Sequence, residues 1–179
     1  MVNWEHGGPD AAGVPRWDFS TNSNACGPCP SALAALQAAD ATHYPDPHYT
    51  RLRAELAEFH GVSPQRVLLA ASASEAISRI SAHTALHSAA RSVWLPPQHY
   101  GDYARAAQVW GLARVADPDQ AALLWACEPS SPLGQAHSGL AAQVRALRSG
   151  QRLVLDCAYA PLRLSGQPSL DAAQLNHVW

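Results

Sequence analysis

The sequence contains no lysine, because all 12 of its basic residues are arginine. These residues therefore offer no ε-amine for a covalent link to a carbonyl compound, and catalysis of that kind is excluded for them alone. Charged residues make up only 15% of the chain, and no apolar run approaches the roughly 20 residues of a membrane helix. No basic segment followed by an apolar one opens the chain, so we expect no secretory signal and a cytoplasmic protein.

Apolar residues, in contrast, are plentiful. They account for 47% of the 179 residues, and the net charge is only −2. This balance predicts a folded domain with a core rather than a disordered tail. Because no basic surface is apparent, we expect binding neither to nucleic acid nor to a membrane. The four cysteines fit a reducing compartment, and a chain of this size needs no disulfide bonds.

Helices and strands are predicted to alternate after an irregular opening of about 30 residues rich in Gly, Pro, Asn and Ser. Local patterns predict that Asp46, Ser72 and Ser138 cap helices and that Gly61 ends one. Predicted helices cover 30–41, 47–60, 73–84, 102–110 and 139–149, predicted strands cover 67–70, 92–95, 112–115, 122–126 and 153–155, and residues 17–20 are expected to be extended. This alternation predicts an α/β fold with a mostly parallel sheet and flanking helices.

Candidate binding residues follow several of these strands, where an open α/β sheet binds its ligands. Ala73 and Ser74 open a helix whose free N–H groups suit a phosphate. Tyr100 could stack on a flat ring. Asp156 could pair with a ring nitrogen and Tyr159 with a ring hydroxyl, which suits pyridoxal phosphate. Taken alone, the motif at Ala73 and Ser74 fits an ordinary capped helix better than a phosphate site, and Tyr100 fits a tyrosine at the rim of the core equally well.

Together, these loops resemble the pyridoxal-phosphate enzymes of the aspartate-aminotransferase superfamily, class I/II, and most of all the histidinol-phosphate aminotransferase branch. The openings His6-Gly7-Gly8, Asp18–Asn24 and Tyr44-Pro45-Asp46-Pro47 are similar to that branch, nearest its cobalamin-pathway aminotransferase and threonine-phosphate decarboxylase. The resemblance implies an N-terminal arm and first helix at 1–48. It also implies an incomplete large domain of a fold-type I enzyme at 49–179, without the C-terminal small domain.

The resemblance also implies a role for each candidate residue. The cofactor pyridoxal 5′-phosphate would contact Ala73, Ser74, Tyr100, Ser131, Asp156, Tyr159 and, across a homodimer, Tyr44. Asn22 lies in the arm that lines the substrate pocket in this family. The expected substrate is an amino acid or an amino phosphate.

Several positions depart from the family pattern. Glu128 and Ser131 stand where the family has the two asparagines of an Asn-Pro-x-Asn-Pro loop, and Cys157 stands where glutamate usually follows the aspartate. The Ser-x-Lys segment, whose lysine binds the cofactor covalently, has no counterpart. We therefore expect a truncated N-terminal half that contains no catalytic residue and neither transaminates nor decarboxylates on its own.

Three alternatives remain open on the residues alone. Cys26-Gly27-Pro28-Cys29 has the thioredoxin motif in front of a helix, which fits a thiol-disulfide redox protein, although no buried strand is predicted before it. The same cysteines, with Cys127, Cys157 or a histidine, could bind zinc, but no second pair has suitable spacing. The third alternative is a non-catalytic remnant of the enzyme that still dimerises. An incomplete sheet would leave an edge unpaired, and such an edge favours pairing with a partner.

Overall fold

The protein is described by a computed structural model that covers residues 7–22, 24, 26–131 and 133–179. His6, Ser23 and Pro132, which belong to the motifs above, lie outside these residues. The chain divides into two compact units, Met1–Leu69 and Ala70–Trp179. No helix in the described part of the chain is long and apolar enough to cross a membrane.

The first unit contains two α-helices, α1 (Pro30–Gln37) and α2 (Thr50–His60), followed by a 3₁₀ helix at Pro64–Arg66. Gly61 ends α2 with a φ of 63°, as predicted, because glycine adopts this left-handed conformation at little cost. The first helix begins where it was predicted and ends earlier, at Gln37.

The prediction that Asp46 caps α2 is wrong. The residue before the helix is Tyr49, whose φ of 48° is left-handed. The carboxylate of Asp46 instead accepts hydrogen bonds from the N–H groups of Thr50 and His48, each at 2.9 Å. These bonds lower the pKa of Asp46 to about 2. Asp46 therefore holds the turn that leads into the helix rather than its first residue.

The predicted strand at 67–70 is also wrong, and the segment at 17–20, expected to be extended, is not part of a strand. Residues 67–70 have the apolar composition of a strand, but their backbone is bonded elsewhere. The N–H of Val67 donates to the carbonyl of Pro64, and its carbonyl accepts from the Arg53 guanidinium at 3.1 Å. Without a neighbouring strand, Leu68 is left 83% exposed.

The second unit is built on a four-stranded parallel sheet, in agreement with the predicted α/β class. Its strands run in the order β2-β1-β3-β4. They are β1 (Ser92–Trp94), β2 (Ala113–Arg114), β3 (Leu123–Cys127) and β4 (Arg152–Asp156). The α-helices are α3 (Ala73–His87), α4 (Gly101–Val109), α5 (Leu140–Ala146) and α6 (Ala172–Leu175), with 3₁₀ helices at Pro118–Gln120 and Ala160–Leu162.

Strand β3 is buried along its whole length because both faces of the sheet are covered. Its side chains alternate between two core clusters, as the two-residue period of a strand requires. Leu123 and Trp125 pack with residues of α3 and α4. Leu124 and Ala126 pack with residues of α5 and with Val178.

The ends of the helices in this unit are partly as predicted. Ser72 caps α3, and its hydroxyl accepts a hydrogen bond from the N–H of Glu75 at 3.1 Å. The predicted cap Ser138 is wrong, because the residue before α5 is Gly139 with a φ of 73°. The glycine reaches a backbone conformation that serine rarely adopts, so the helix begins one residue later.

Candidate functional site

Asp156 is the last residue of β4, at the edge of the sheet where the parallel strands have their carboxyl ends. It lies opposite Cys127, the last residue of β3. One carboxylate oxygen accepts the N–H of Ala158 at 2.9 Å, and the other accepts the hydroxyl of Tyr103 at 2.5 Å. The carboxylate is therefore oriented from two sides.

Tyr103 lies on α4 and is completely buried. Its ring stacks on Trp125 with a centroid distance of 4.4 Å and an interplanar angle of 10°. It also meets the ring of Tyr100 edge-on at 5.8 Å. Burial, and then the hydrogen bond to Asp156, raise the pKa of Tyr103 far above its usual value. Sequence reasoning missed this residue, although its position three residues after Tyr100 predicts a shared helix face.

Tyr100 stands at the start of α4 and is half-buried. Burial raises its pKa, a hydrogen bond with Ser74 opposes this, and the negative charges of Asp102 and ionised Tyr159 raise it further. Tyr100 therefore lies within hydrogen-bonding reach of Ser74 and Asp102, which themselves share a hydrogen bond. The residue predicted to cover the ring face thus lies beside one of those predicted to bind the phosphate. The place of Tyr159 toward a ring hydroxyl remains a prediction.

Ser74 lies in the first turn of α3, where the leading N–H groups have no acceptor within the helix. Its hydroxyl donates to the carboxylate of Asp102 at 2.5 Å. Asp102 is buried in the first turn of α4 and was not predicted as part of the site. A phosphate at this helix end would therefore meet the N–H groups of Ala73 and Ser74, with a carboxylate close behind them.

Glu128 follows β3 and is only 3% exposed. Its carboxylate accepts hydrogen bonds from the Arg163 guanidinium at 2.9 Å, the N–H of Ser169 at 2.8 Å and the N–H of His137 at 3.3 Å. Burial alone would raise the pKa of Glu128, but hydrogen bonds from Ser169, Arg163 and His137 outweigh it and lower the pKa. Glu128 therefore anchors the segment after β4 to the end of β3.

Ser131, the predicted partner of a ring hydroxyl, lies in the same loop and is half-buried. Burial and the charge of Asp156 raise the pKa of Cys127, and the backbone N–H of Ser131 partly offsets them. Both Ser131 and Asp156 therefore lie near the Cys127 thiol, which donates to the carbonyl of Pro129 at 3.3 Å.

Asn22 and Tyr44 belong to the first unit, where both side chains are exposed. They are not among the residues that the contacts of the second unit bring together. Their roles toward a substrate and a partner's phosphate remain predictions.

Cys26 and Cys29 are exposed free thiols. Cys29 precedes α1, and its pKa is lowered mainly by a hydrogen bond with Ser31. No strand leads into this motif among residues 7–22 and 24, unlike the redox proteins that it resembles. Across the described ranges, no group of three or more His, Cys, Asp or Glu side chains could hold a metal ion.

The architecture is that of the fold-type I pyridoxal-phosphate enzymes. A crystal structure of histidinol-phosphate aminotransferase from Sinorhizobium meliloti, in complex with pyridoxal 5′-phosphate, matches 75% of this chain and 42% of that one. The TM-score is 0.61 at 25% identity. L-threonine-O-3-phosphate decarboxylase from Porphyromonas gingivalis matches with a TM-score of 0.62 at 17% identity, over 83% of this chain and 48% of that one.

Sequence comparison finds relatives with the same name as the first of these two proteins. Histidinol-phosphate aminotransferase from Roseiflexus castenholzii is 34% identical in an alignment 143 residues long, which covers 65% of this chain and 37% of the relative. No family model matches. The chain is thus similar to histidinol-phosphate aminotransferases, as its sequence motifs predicted, and it spans less than half the length of these relatives.

Proposed function

We propose that this chain is the N-terminal, cofactor-binding half of a pyridoxal-phosphate enzyme, either an aminotransferase or an amino-acid-phosphate decarboxylase. The contacts of Tyr100 carry this proposal. This half-buried tyrosine hydrogen-bonds with Ser74 and Asp102, and its ring meets that of Tyr103, which holds Asp156. Such a cluster offers an anion-binding helix end, a ring platform and a carboxylate at a single sheet edge.

The side chains match the chemistry of the cofactor. Bound pyridoxal phosphate supplies an electron sink for reactions at an amino acid's α-carbon. Asp156 would accept a hydrogen bond from the protonated ring nitrogen, and its negative charge would keep the proton on that nitrogen. Tyr159 and Ser131 would donate to the ring hydroxyl, and Tyr100 would cover one ring face. The phosphate would rest on the N–H groups that open α3.

No residue among these 179 can form the covalent link, because lysine is absent. We therefore propose that the chain holds the cofactor without a covalent bond and is inactive alone. Borohydride treatment in the presence of pyridoxal phosphate tests this point. The expected result is no cofactor trapped on an internal side chain, and a trapped one would contradict it.

Binding itself is best tested with pyridoxamine 5′-phosphate, which carries an amine instead of the aldehyde and needs no lysine. We expect saturable binding by calorimetry. The substitution Asp156→Ala should weaken it about 10- to 100-fold, the range for a hydrogen bond to a charged group. The control Glu58→Gln removes an exposed carboxylate from α2 and should leave binding unchanged. No saturable binding by the unaltered chain would refute the proposal.

The phosphate end permits a second test. The Ser74 hydroxyl donates to the buried carboxylate of Asp102, so this carboxylate lies close to the helix end that would bind the phosphate. Its negative charge would repel the phosphate there. Asp102→Asn removes the charge and keeps the shape, so the affinity for pyridoxamine 5′-phosphate should rise. It should leave the affinity for pyridoxamine, which lacks the phosphate, unchanged. An equal change for both ligands would show that the phosphate does not bind there.

The remaining features of the proposal rest on the resemblance. A homodimer in the cytoplasm would place Tyr44 against the phosphate in the partner subunit, and Asn22 would face a phosphorylated amine substrate. Tyr44 is fully exposed, as such a reach requires. A role in cobalamin biosynthesis belongs to the decarboxylase alternative. Sedimentation of the chain with and without pyridoxamine 5′-phosphate tests the dimer, and a monomer under both conditions would exclude it.

A further inference from the structure

Tyr103 is the most enclosed polar side chain beside the candidate cofactor site. Its ring is held between the face of Trp125 and the edge of Tyr100. The hydroxyl donates to a carboxylate oxygen of Asp156 at 2.5 Å. Because the ring is completely buried, the hydroxyl cannot turn to water instead.

The second oxygen of Asp156 accepts the N–H of Ala158 at 2.9 Å. One donor thus comes from the residues after β4, and the other comes from α4, which is 53 residues away in the chain. Together they fix the plane of the carboxylate at the end of the strand. Each oxygen keeps a lone pair for one more donor.

The Tyr103 hydroxyl keeps its proton. Burial and the neighbouring carboxylate both raise the pKa of this phenol, so it remains a donor throughout the physiological pH range. A permanent donor to a carboxylate favours the ionised form of that carboxylate. The proton shared between Asp156 and a bound ring nitrogen should then lie on the nitrogen.

We propose that Tyr103 is a positioning residue that orients Asp156 toward a pyridinium nitrogen. The proposal rests on the proposed function and adds a residue to which the sequence motifs assign no role. Because Tyr103 is completely buried, it would act through Asp156 alone, so its effect should appear only with ligands that contain the ring nitrogen.

The test compares Tyr103→Phe with the unaltered 179-residue chain. Pyridoxamine 5′-phosphate labelled with ¹⁵N in the ring serves as the probe. We expect binding to weaken about 3- to 10-fold, which is the worth of one ordinary hydrogen bond. The ¹⁵N shift should move from the protonated toward the unprotonated value. The 1-deaza analogue, which lacks the ring nitrogen, should bind both proteins equally.

Tyr49→Phe is the matched control, because it removes a phenol hydroxyl from a partly exposed tyrosine of the first unit. It should change neither the affinity nor the ¹⁵N shift. If Tyr103→Phe leaves both the affinity and the ¹⁵N shift unchanged, Tyr103 has no positioning role although the proposed function stands. If it weakens both ligands equally, the hydroxyl shapes the pocket and the proposal fails. If the unaltered chain binds neither ligand, the proposed function fails first.

A second measurement covers the case in which Tyr103→Phe does not fold. In the unaltered chain, the hydroxyl proton of Tyr103 should give a slowly exchanging, downfield NMR signal. Pyridoxamine 5′-phosphate should shift this signal, whereas the deaza analogue should leave it in place. The same response to both ligands would overturn the proposal without any substitution.

Discussion

The two units of this protein contain similar apolar side chains but bury them to different extents. In the first, the only buried residue of the two α-helices is Ala57. Its largest apolar side chains are mostly exposed, among them Trp17, Phe19, Tyr44, Phe59 and Leu68. In the second, a sheet covered on both faces buries Trp125, Tyr103, Leu123 and Leu153 almost completely.

The difference shows that a local pattern is sufficient for a helix and insufficient for a core. Leu52, Leu56 and Phe59 have the helical spacing that predicts an apolar face, and the helix forms. Phe59 nevertheless remains 82% exposed. Burial needs a second surface, which the sheet provides in the second unit.

Replacing one tryptophan in each unit with alanine should give the largest difference in stability between the two units. Trp125→Ala should lower the free energy of unfolding of the second unit by about 3–5 kcal/mol, because it leaves a large cavity in the core. The Trp125 Nε1 has no acceptor among the described residues, so packing alone is lost. Hydrogen exchange of the β3 amides would measure it.

The matched control is Trp17→Ala. Trp17 is 72% exposed, and we expect a change within about 0.5 kcal/mol. Equal losses for the two tryptophans would mean that the first unit has a core of comparable strength.

Breaking one ion pair in each unit should give the next largest difference in stability. Arg163→Leu removes the charged partner of Glu128 and leaves a buried carboxylate without its counter-charge. The expected loss is about 3 kcal/mol, the lower end for breaking a buried pair. Urea unfolding followed by tryptophan fluorescence would measure it. Arg51→Leu breaks the exposed pair with Glu55 in the first unit, and no measurable change is expected there.

The same buried pair makes the second unit sensitive to acid. The pKa of Glu128 is lower in the folded protein than the ordinary glutamate value of 4.5. Its contribution to stability is therefore complete above that value and is lost as the pH falls through the lower, folded-state pKa. The urea midpoint should fall in that range, and Arg163→Leu should move the fall to higher pH. An identical pH profile for both proteins would contradict the assignment.

The smallest predicted effect concerns two glycines. Gly61→Ala places a side chain at a φ of 63° and should destabilise the end of α2 by about 1 kcal/mol. Gly101→Ala, at the start of α4, meets open space and an ordinary φ, so it should be neutral or stabilise by up to about 1 kcal/mol. Thermal unfolding by circular dichroism would separate the two. A loss at both positions would argue against conformational strain as the cause.

Features that depend on neighbouring residues could be predicted from the sequence. Ser72 and Gly61 were identified correctly, because a helix cap involves only a few adjacent backbone groups. Asp46 and Ser138 were misplaced, because a left-handed residue directly before each helix moved its start. The segment at 67–70 has a strand's composition and lacks a strand partner.

The sequence pointed to candidate residues at or just after the end of a strand, such as Asp156 and Tyr159. It did not point to Asp102 and Tyr103, which lie on α4. Tyr103 contacts Asp156 across 53 residues of chain, and Asp102 meets Ser74 across 28. No local pattern encodes either contact, since each depends on how α4 packs against the sheet and α3.

The sequence by itself determined two things about this protein. It excluded an ε-amine anywhere in these 179 residues, and its alternating apolar segments specified a parallel α/β fold. The tertiary structure alone decided the strand order β2-β1-β3-β4 and the pairing of Tyr103 with Asp156. Composition and periodicity are properties of neighbouring residues, whereas strand order and buried polar contacts arise only when distant segments share one core.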